Sequence, residues 1–198
     1  FLELGANDGL ASNTLYLDPI CFGDYPEDAR SLFGRDMPEP EAGDLEAIAT
    51  PIDFIGLNIY QGGPVRATES GPEIVPLDED HPKTSMDWPI TPACLEWGPR
   101  YHFERYQLPI YITENGMAEH DTLNGSDRVH DPRRIEYVRS HLAALARAID
   151  SGADIRGYFY WSILDNFEWA EGYDKRFGLV YVDYETQRRV LKDSAHWY

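Results

Sequence analysis

Leu108-Pro109-Ile110-Tyr111-Ile112-Thr113-Glu114-Asn115-Gly116 is the stretch from which the rest of the chain is read. Ile110, Tyr111, Ile112 and Thr113 are β-branched or aromatic and favour a buried strand. Asn115-Gly116 is a strong turn signal. The run therefore predicts a strand over 108–114 that carries a glutamate at its carboxyl end. A charged carboxylate does not fill an apolar core, and barrel and open-sheet enzymes place catalytic groups at such strand ends. On these nine residues alone, a carboxylate that merely caps the turn is an equal reading.

A second stretch weighs against that reading. Gly157-Tyr158-Phe159-Tyr160-Trp161-Ser162 is another β-type run, and it leads into Ile163-Leu164-Asp165-Asn166-Phe167-Glu168-Trp169-Ala170-Glu171. Sugars present flat C–H faces and a rim of hydroxyls, so a site that holds them needs aromatic platforms together with carboxylates and amides. Lone tryptophans are more often core residues. Here the polar neighbours of Trp161 and Trp169 stand too close in sequence for a purely apolar core.

In order along the chain, these motifs resemble glycoside hydrolase family 1, the β-glucosidase family. Ile112-Thr113-Glu114-Asn115-Gly116 is similar to its nucleophile motif, and Trp161-Ser162 through Trp169 to its sugar-binding signature. Asp53-Phe54-Ile55-Gly56-Leu57-Asn58-Ile59-Tyr60 resembles its sixth barrel strand. Leu17-Asp18-Pro19-Ile20 with Gly23-Asp24-Tyr25-Pro26 resembles the loop before that strand. Phe177 to Tyr184 resembles the C-terminal hairpin, and Asp193-Ser194-Ala195 with Trp197-Tyr198 the final helix. The resemblance implies a (β/α)8 TIM barrel, of which this chain supplies the C-terminal part, about strands six to eight. It also implies a retaining β-glycosidase acting on terminal β-D-glucosyl, galactosyl or fucosyl residues.

The site residues follow from the same resemblance. Retention needs two carboxyl groups about 5–5.5 Å apart. Glu114 is the implied nucleophile, and Tyr60, in Asn58-Ile59-Tyr60, its hydrogen-bonding partner. Asn58 belongs to the same motif on the sugar side. Trp161 is the implied aromatic platform, Glu168 grips sugar hydroxyls, and Trp169 is its indole N–H neighbour. A carboxylate at 168 repels a 6-phosphate, which favours unphosphorylated glycosides. The family's acid/base lies in an Asn-Glu-Pro motif, and this sequence contains none. The expected partners are therefore a small-molecule β-glycoside or oligosaccharide and a complementary N-terminal segment of the same enzyme. The competing reading is a non-catalytic sugar-binding or scaffold fragment. Transglycosylation is a third, which the residues do not separate from hydrolysis.

Composition bounds these expectations. The 198 residues are fewer than the ~250 a minimal barrel uses, and three strands are recognisable, over 52–60, 108–114 and 156–163. The sequence reads as a barrel cut before its sixth strand, in one portion spanning 1–198. A net charge of −18, from 35 acidic and 17 basic residues, argues against nucleic acid and anionic membranes. Cys21 and Cys94 give no disulfide framework, and a cytoplasmic setting suits reduced thiols. No apolar run approaches the ~20 residues of a membrane span. His102, His120, His130, His141 and His196 have no metal spacing, so neither metal nor other cofactor is expected; His102 and His141 are placed at surface or interhelical positions. Trp97 is assigned to packing, Trp88 to the edge of the cleft, and Asp165 and Asn166 to turning the chain.

The clearest helix is 132–150. Asp131 is its expected N-cap, Pro132 suits the first position, and Gly152 supplies the stop. Ile135, Val138, Leu142, Leu145 and Ile149 form its expected apolar stripe. With the strands on either side it makes a βαβ unit. Residues 1–50 predict a helical start and Pro/Gly-punctuated loops, with a short helix at 44–49. Residues 61–92 predict a long loop with a short hairpin, and 93–106 a helix.

Overall fold

The computed structural model describes residues 13–69, 71–125 and 128–198. Helices α1 (Asn13–Phe22), α2 (Glu27–Phe33) and α3 (Asp44–Ile48) lead to strand β1 (Ile55–Asn58). The antiparallel strands β2 (Val65–Thr68) and β3 (Gly71–Ile74) follow. Then come α4 (Cys94–Tyr106), β4 (Ile110–Asn115), α5 (Pro132–Asp150) and β5 (Ile155–Tyr160). The hairpin β6 (Val180–Val182) and β7 (Arg189–Leu191) precedes α6 (Asp193–Trp197).

The chain divides into two compact units, one of residues up to Phe54 with Val65–Val75, the other of Ile55–Pro64 with Pro76–Tyr198. In the first, Leu15 and Ala29 are buried, and Tyr25, Phe33 and Met37 pack on them. Leu17-Asp18-Pro19-Ile20, expected in a loop, lies inside α1. Burial of Leu15, Asp18 and Pro19 outweighs the backbone bond that Pro19 cannot donate. The helical start expected over the first residues falls, for 1–12, outside the described residues.

The second unit holds the parallel sheet, in the order β1-β4-β5. The strand with Glu114 is thus the central one, flanked on both sides. Ile110 and Ile112 are fully buried, as an alternating β pattern requires. The register slips near the strand end. Leu57 faces Ile112 and Asn58 faces Glu114, so β4 carries one extra residue, Thr113, against β1. Against β5, Ile112 faces Tyr158 and Asn115 faces Tyr160, again one residue more in β4. Such bulges re-aim side chains beside functional sites.

Helix α5 spans the predicted residues and crosses from β4 to β5. Gly152 follows it with φ +101°, a conformation that glycine adopts at no steric cost. Its buried face is rotated from the expected stripe. Arg134, Tyr137, Val138, His141, Ala144, Leu145 and Ala148 are buried, while Ile149 is 48% exposed. A stripe drawn from apolar residues alone leaves out Arg134, whose guanidinium reaches Asp121 and the Arg176 carbonyl outside the helix, and His141, whose Nδ1 bonds within it. His102 and His141 are likewise buried, not at the surface, and each Nδ1 bonds the carbonyl four residues earlier, Gly98 and Tyr137. Trp97, assigned to packing, is 41% exposed, with the Arg100 guanidinium packed 4.5 Å over its ring. Van der Waals contact with a planar cation replaces burial there.

A buried ionic cluster ties the C-terminal segment to the sheet. Arg134 donates to Asp121 at 2.6 and 3.1 Å and pairs with Asp131. Lys192, fully buried, donates to Asp121 at 2.6 Å and to Asp165 at 2.8 Å. Arg176 adds a 2.7 Å bond to Asp165. Asp131 was expected to cap α5 with its side chain. Instead its carboxylate accepts from the Ser194 N–H at 2.9 Å and hydroxyl at 2.6 Å. Burial pushes the Asp121 carboxyl up, but the Arg134 and Lys192 bonds outweigh it and hold it below the usual carboxylate range. Asp165 also accepts from the N–H groups of Gly178 and Val182, which fixes the segment leading to Glu168.

Candidate active site

Glu114 stands at the carboxyl end of β4, half-buried. The Tyr60 hydroxyl, two residues beyond the end of β1, donates to its Oε2 at 2.8 Å. The pairing follows from the fold: β1 and β4 run parallel side by side, and the Ile59 N–H continues the ladder onto the Glu114 carbonyl at 2.9 Å. Burial first, then the bond to Glu114, raises the Tyr60 phenol well above its ordinary value. Tyr60 therefore remains a donor throughout the working pH range. Its ring packs edge-on against Trp88, centroids 5.3 Å apart, and Phe177, 6.3 Å apart. Trp88, expected at the cleft edge, thus buttresses the partner of Glu114.

Asn58 faces Glu114 in the register and accepts a 2.7 Å hydrogen bond from the Thr113 hydroxyl. Burial pushes the Glu168 carboxyl up, the neighbouring Trp161 indole N–H holds it partly down, and the charges of Glu114 and Glu171 push it further up. The charge of Glu168 in turn contributes to raising Tyr60. Glu114, Tyr60, Glu168 and Trp161 therefore share one electrostatic neighbourhood. Trp169 differs. It begins a short 3-10 turn, Trp169–Glu171, at φ +42°, and is 84% exposed. Asp165 and Asn166 do turn the chain: Asp165 anchors the 178–182 backbone, and Asn166 donates to the Ser162 hydroxyl and the Leu164 carbonyl. A separate open hollow of about 530 Å³, lined by Arg128, Ile135, Leu191, Asp193, His196 and Trp197, includes none of these residues.

Gly116 joins the two halves of the site. A Cβ there would lie 1.9 Å from the Trp161 carbonyl oxygen, so only glycine allows this approach. The Trp161 N–H bonds the Asn115 carbonyl at 2.9 Å, and the Trp161–Ser162 peptide is cis. Sequence reading treated Asn115 as a turn former and did not single out Tyr137. Both are buried directly behind Glu114. The available signal for Tyr137 was its four-residue spacing from His141, whose ring stacks on it at 3.8 Å.

Comparison with known proteins extends over this whole arrangement. The family model described as Glycosyl hydrolase family 1 matches residues 6–198. Beta-glucosidase A of Thermotoga maritima is 47% identical over 186 residues, 93% of this chain and 42% of that protein. The bifunctional beta-D-glucosidase/beta-D-fucosidase of Bifidobacterium breve is 43% identical over 210 residues, 96% of this chain and 46% of that one. The structure of a beta-glucosidase from Thermotoga maritima in complex with noeuromycin superposes with TM-score 0.83 at 45% identity, over 94% of this chain and 43% of that chain. The chain thus spans less than half the length of these relatives and has the fold of the corresponding part of their TIM barrel.

Proposed function

The chain belongs to glycosyl hydrolase family 1, and on that premise we propose that it supplies the nucleophile side of a retaining β-glycosidase site, with Glu114 attacking a terminal β-D-glucosyl, galactosyl or fucosyl residue. The observation that carries this reading is the strand-end carboxylate of Glu114 held by the Tyr60 hydroxyl at 2.8 Å. Because that bond occupies Oε2, attack falls to Oε1. The C1–O bond to the aglycone breaks as the Glu114–C1 bond forms, and the leaving oxygen takes a proton from a general acid. Water, deprotonated by the same group, then displaces Glu114. Trp161 offers the sugar face a platform, and Glu168 accepts hydrogen bonds from its hydroxyls. The relatives are beta-glucosidases, one of them also a beta-D-fucosidase, which supports this substrate class.

The acid/base comes, in this reading, from a segment outside these 198 residues, since they contain no Asn-Glu-Pro. The same segment would cover the outer edges of β1 and β5, which have no sheet partner among the described residues. The test is p-nitrophenyl β-glucoside cleavage by the chain alone and with a complementary Asn-Glu-Pro segment. Activity is expected only with the segment. In that active form, Glu114→Ala should lower turnover by several orders of magnitude, and azide should partly restore it with an inverted product. Near-normal turnover by Glu114→Ala, or robust turnover by the chain alone, overturns the reading.

A further inference from the structure

We infer that Asn115 is a positioning residue, whose buried amide sets where the Tyr60 hydroxyl meets Glu114; this deepens the role proposed above for Glu114 and rests on it. Asn115 is fully buried, and every polar group of its side chain is used. Its Nδ2 donates to the Ile59 carbonyl at 2.8 Å and to the Tyr137 hydroxyl at 3.0 Å. Its Oδ1 accepts from the Tyr158 hydroxyl at 2.9 Å. A carbonyl can only accept, so Nδ2 must face Ile59, and the amide has a single orientation. One side chain therefore bridges the end of β1, helix α5 and strand β5.

The consequence falls on Tyr60. The Ile59-Tyr60 backbone is gripped at three points: the Ile59 N–H by the Glu114 carbonyl, the Ile59 carbonyl by Asn115, and the Tyr60 carbonyl by the Tyr137 hydroxyl at 3.3 Å. Tyr137 is itself held by Asn115. The main chain of Asn115 also accepts from the Trp161 N–H. The residue that follows the nucleophile thus registers both its hydrogen-bond donor and the aromatic platform, without touching substrate. Preorganisation of this kind acts through geometry, and small displacements of a reacting group reduce rate strongly.

The test uses the 198-residue chain and a dinitrophenyl fluoroglucoside, with the complementary segment added to every sample. Dinitrophenolate leaves with the bonding electrons and needs no proton, so formation of the Glu114–C1 bond reports on the nucleophile alone. Intact mass and peptide mapping locate the label. Tyr158→Phe removes only the hydroxyl that fixes the amide and keeps the ring, whereas Asn115→Ala risks misfolding and is checked by circular dichroism. Tyr158→Phe is expected to slow labelling about fivefold and to shift the ring resonances of Tyr60. Combined with Tyr60→Phe it should slow labelling no more than Tyr60→Phe alone, because it acts through Tyr60. Losses that multiply, or unmoved Tyr60 resonances, overturn the inference and leave Asn115 a purely structural residue. Absence of label on Glu114 in the unmutated protein counts instead against the nucleophile assignment, and the Tyr60 resonances then decide the positioning role by themselves.

Discussion

Replacing Lys192 by methionine should destabilise the second unit by about 3–5 kcal/mol. The size follows from the cluster. Lys192 is fully buried between Asp121 and Asp165, at 2.6 and 2.8 Å. Arg134, Arg176 and Lys192 balance Asp121, Asp131 and Asp165. Methionine matches the length of the lysine stem but leaves three buried carboxylates to two cations, Arg134 and Arg176. For a chain of this length the loss corresponds to a fall in Tm of roughly 6–20 °C. All five tryptophans lie in this unit, so urea unfolding followed by their fluorescence reports it directly. The pH dependence has a definite sign. The Asp121 carboxyl is depressed in the folded state, so its contribution is present above the unfolded carboxylate value near 3.9 and is lost as pH falls through the folded one. Loss of Lys192 weakens that depression. The gap between the two proteins should therefore be largest at neutral pH and narrow below about pH 4. Adding Asp121→Asn to Lys192→Met should recover part of the loss. A single variant within about 0.5 kcal/mol of the unmutated chain, or a gap that widens in acid, would refute the reasoning.

Other outcomes follow from the same geometry. Glu168→Ser, assayed with the complementary segment, should lower kcat/KM for unphosphorylated glucosides by roughly 2 kcal/mol while improving tolerance of a 6-phosphate; equal responses of the two substrates would remove Glu168 from that part of the sugar. Gly116→Ala drives a methyl into the Trp161 carbonyl and should cost about 1–3 kcal/mol in urea unfolding, with a displaced Trp161 emission. Burial pushes the His141 imidazole down to about 4. The unfolded chain takes up that proton below pH 6.5, so stability should fall by roughly 3 kcal/mol between pH 6.5 and 4, and His141→Phe should flatten the slope.

Much of the site was legible because its residues sit inside continuous motifs. Ile110 to Gly116 announces a buried strand and its polar end, and the structure adds only the bulge at Thr113 that aims Glu114. The pairing of Tyr60 with Glu114 came from the family resemblance of Asn58-Ile59-Tyr60, and the two side chains meet at 2.8 Å. What pattern reading missed was polar and buried. Arg134 and His141 interrupt an apolar stripe, and nothing in 132–150 reveals that the partners of Arg134 are Asp121 and the Arg176 carbonyl. Asn115 has strong turn propensity, so its local signal hides a role set by Ile59, Tyr137 and Tyr158. Trp169 shows the opposite limit: its motif is clear, yet its indole stands in solvent among the described residues.

The ionic cluster also bears on how the chain reaches this state. Its bonds join Asp121 to Lys192 across 71 positions, Asp131 to Ser194 across 63, and Asp165 to Lys192 across 27. Each closure costs entropy that grows with the logarithm of the span, and each carboxylate gives up water before its cation arrives. No single bond in the set offsets both costs, so the members gain by closing together, after β4, α5 and β5 have formed a surface to receive them. The cluster then behaves as a latch set late in folding. Substitutions within it should give low φ-values, speeding unfolding while leaving the folding rate nearly unchanged. Opening it would free the 165–182 segment, and Glu168 with it, before the sheet that carries Glu114 comes apart.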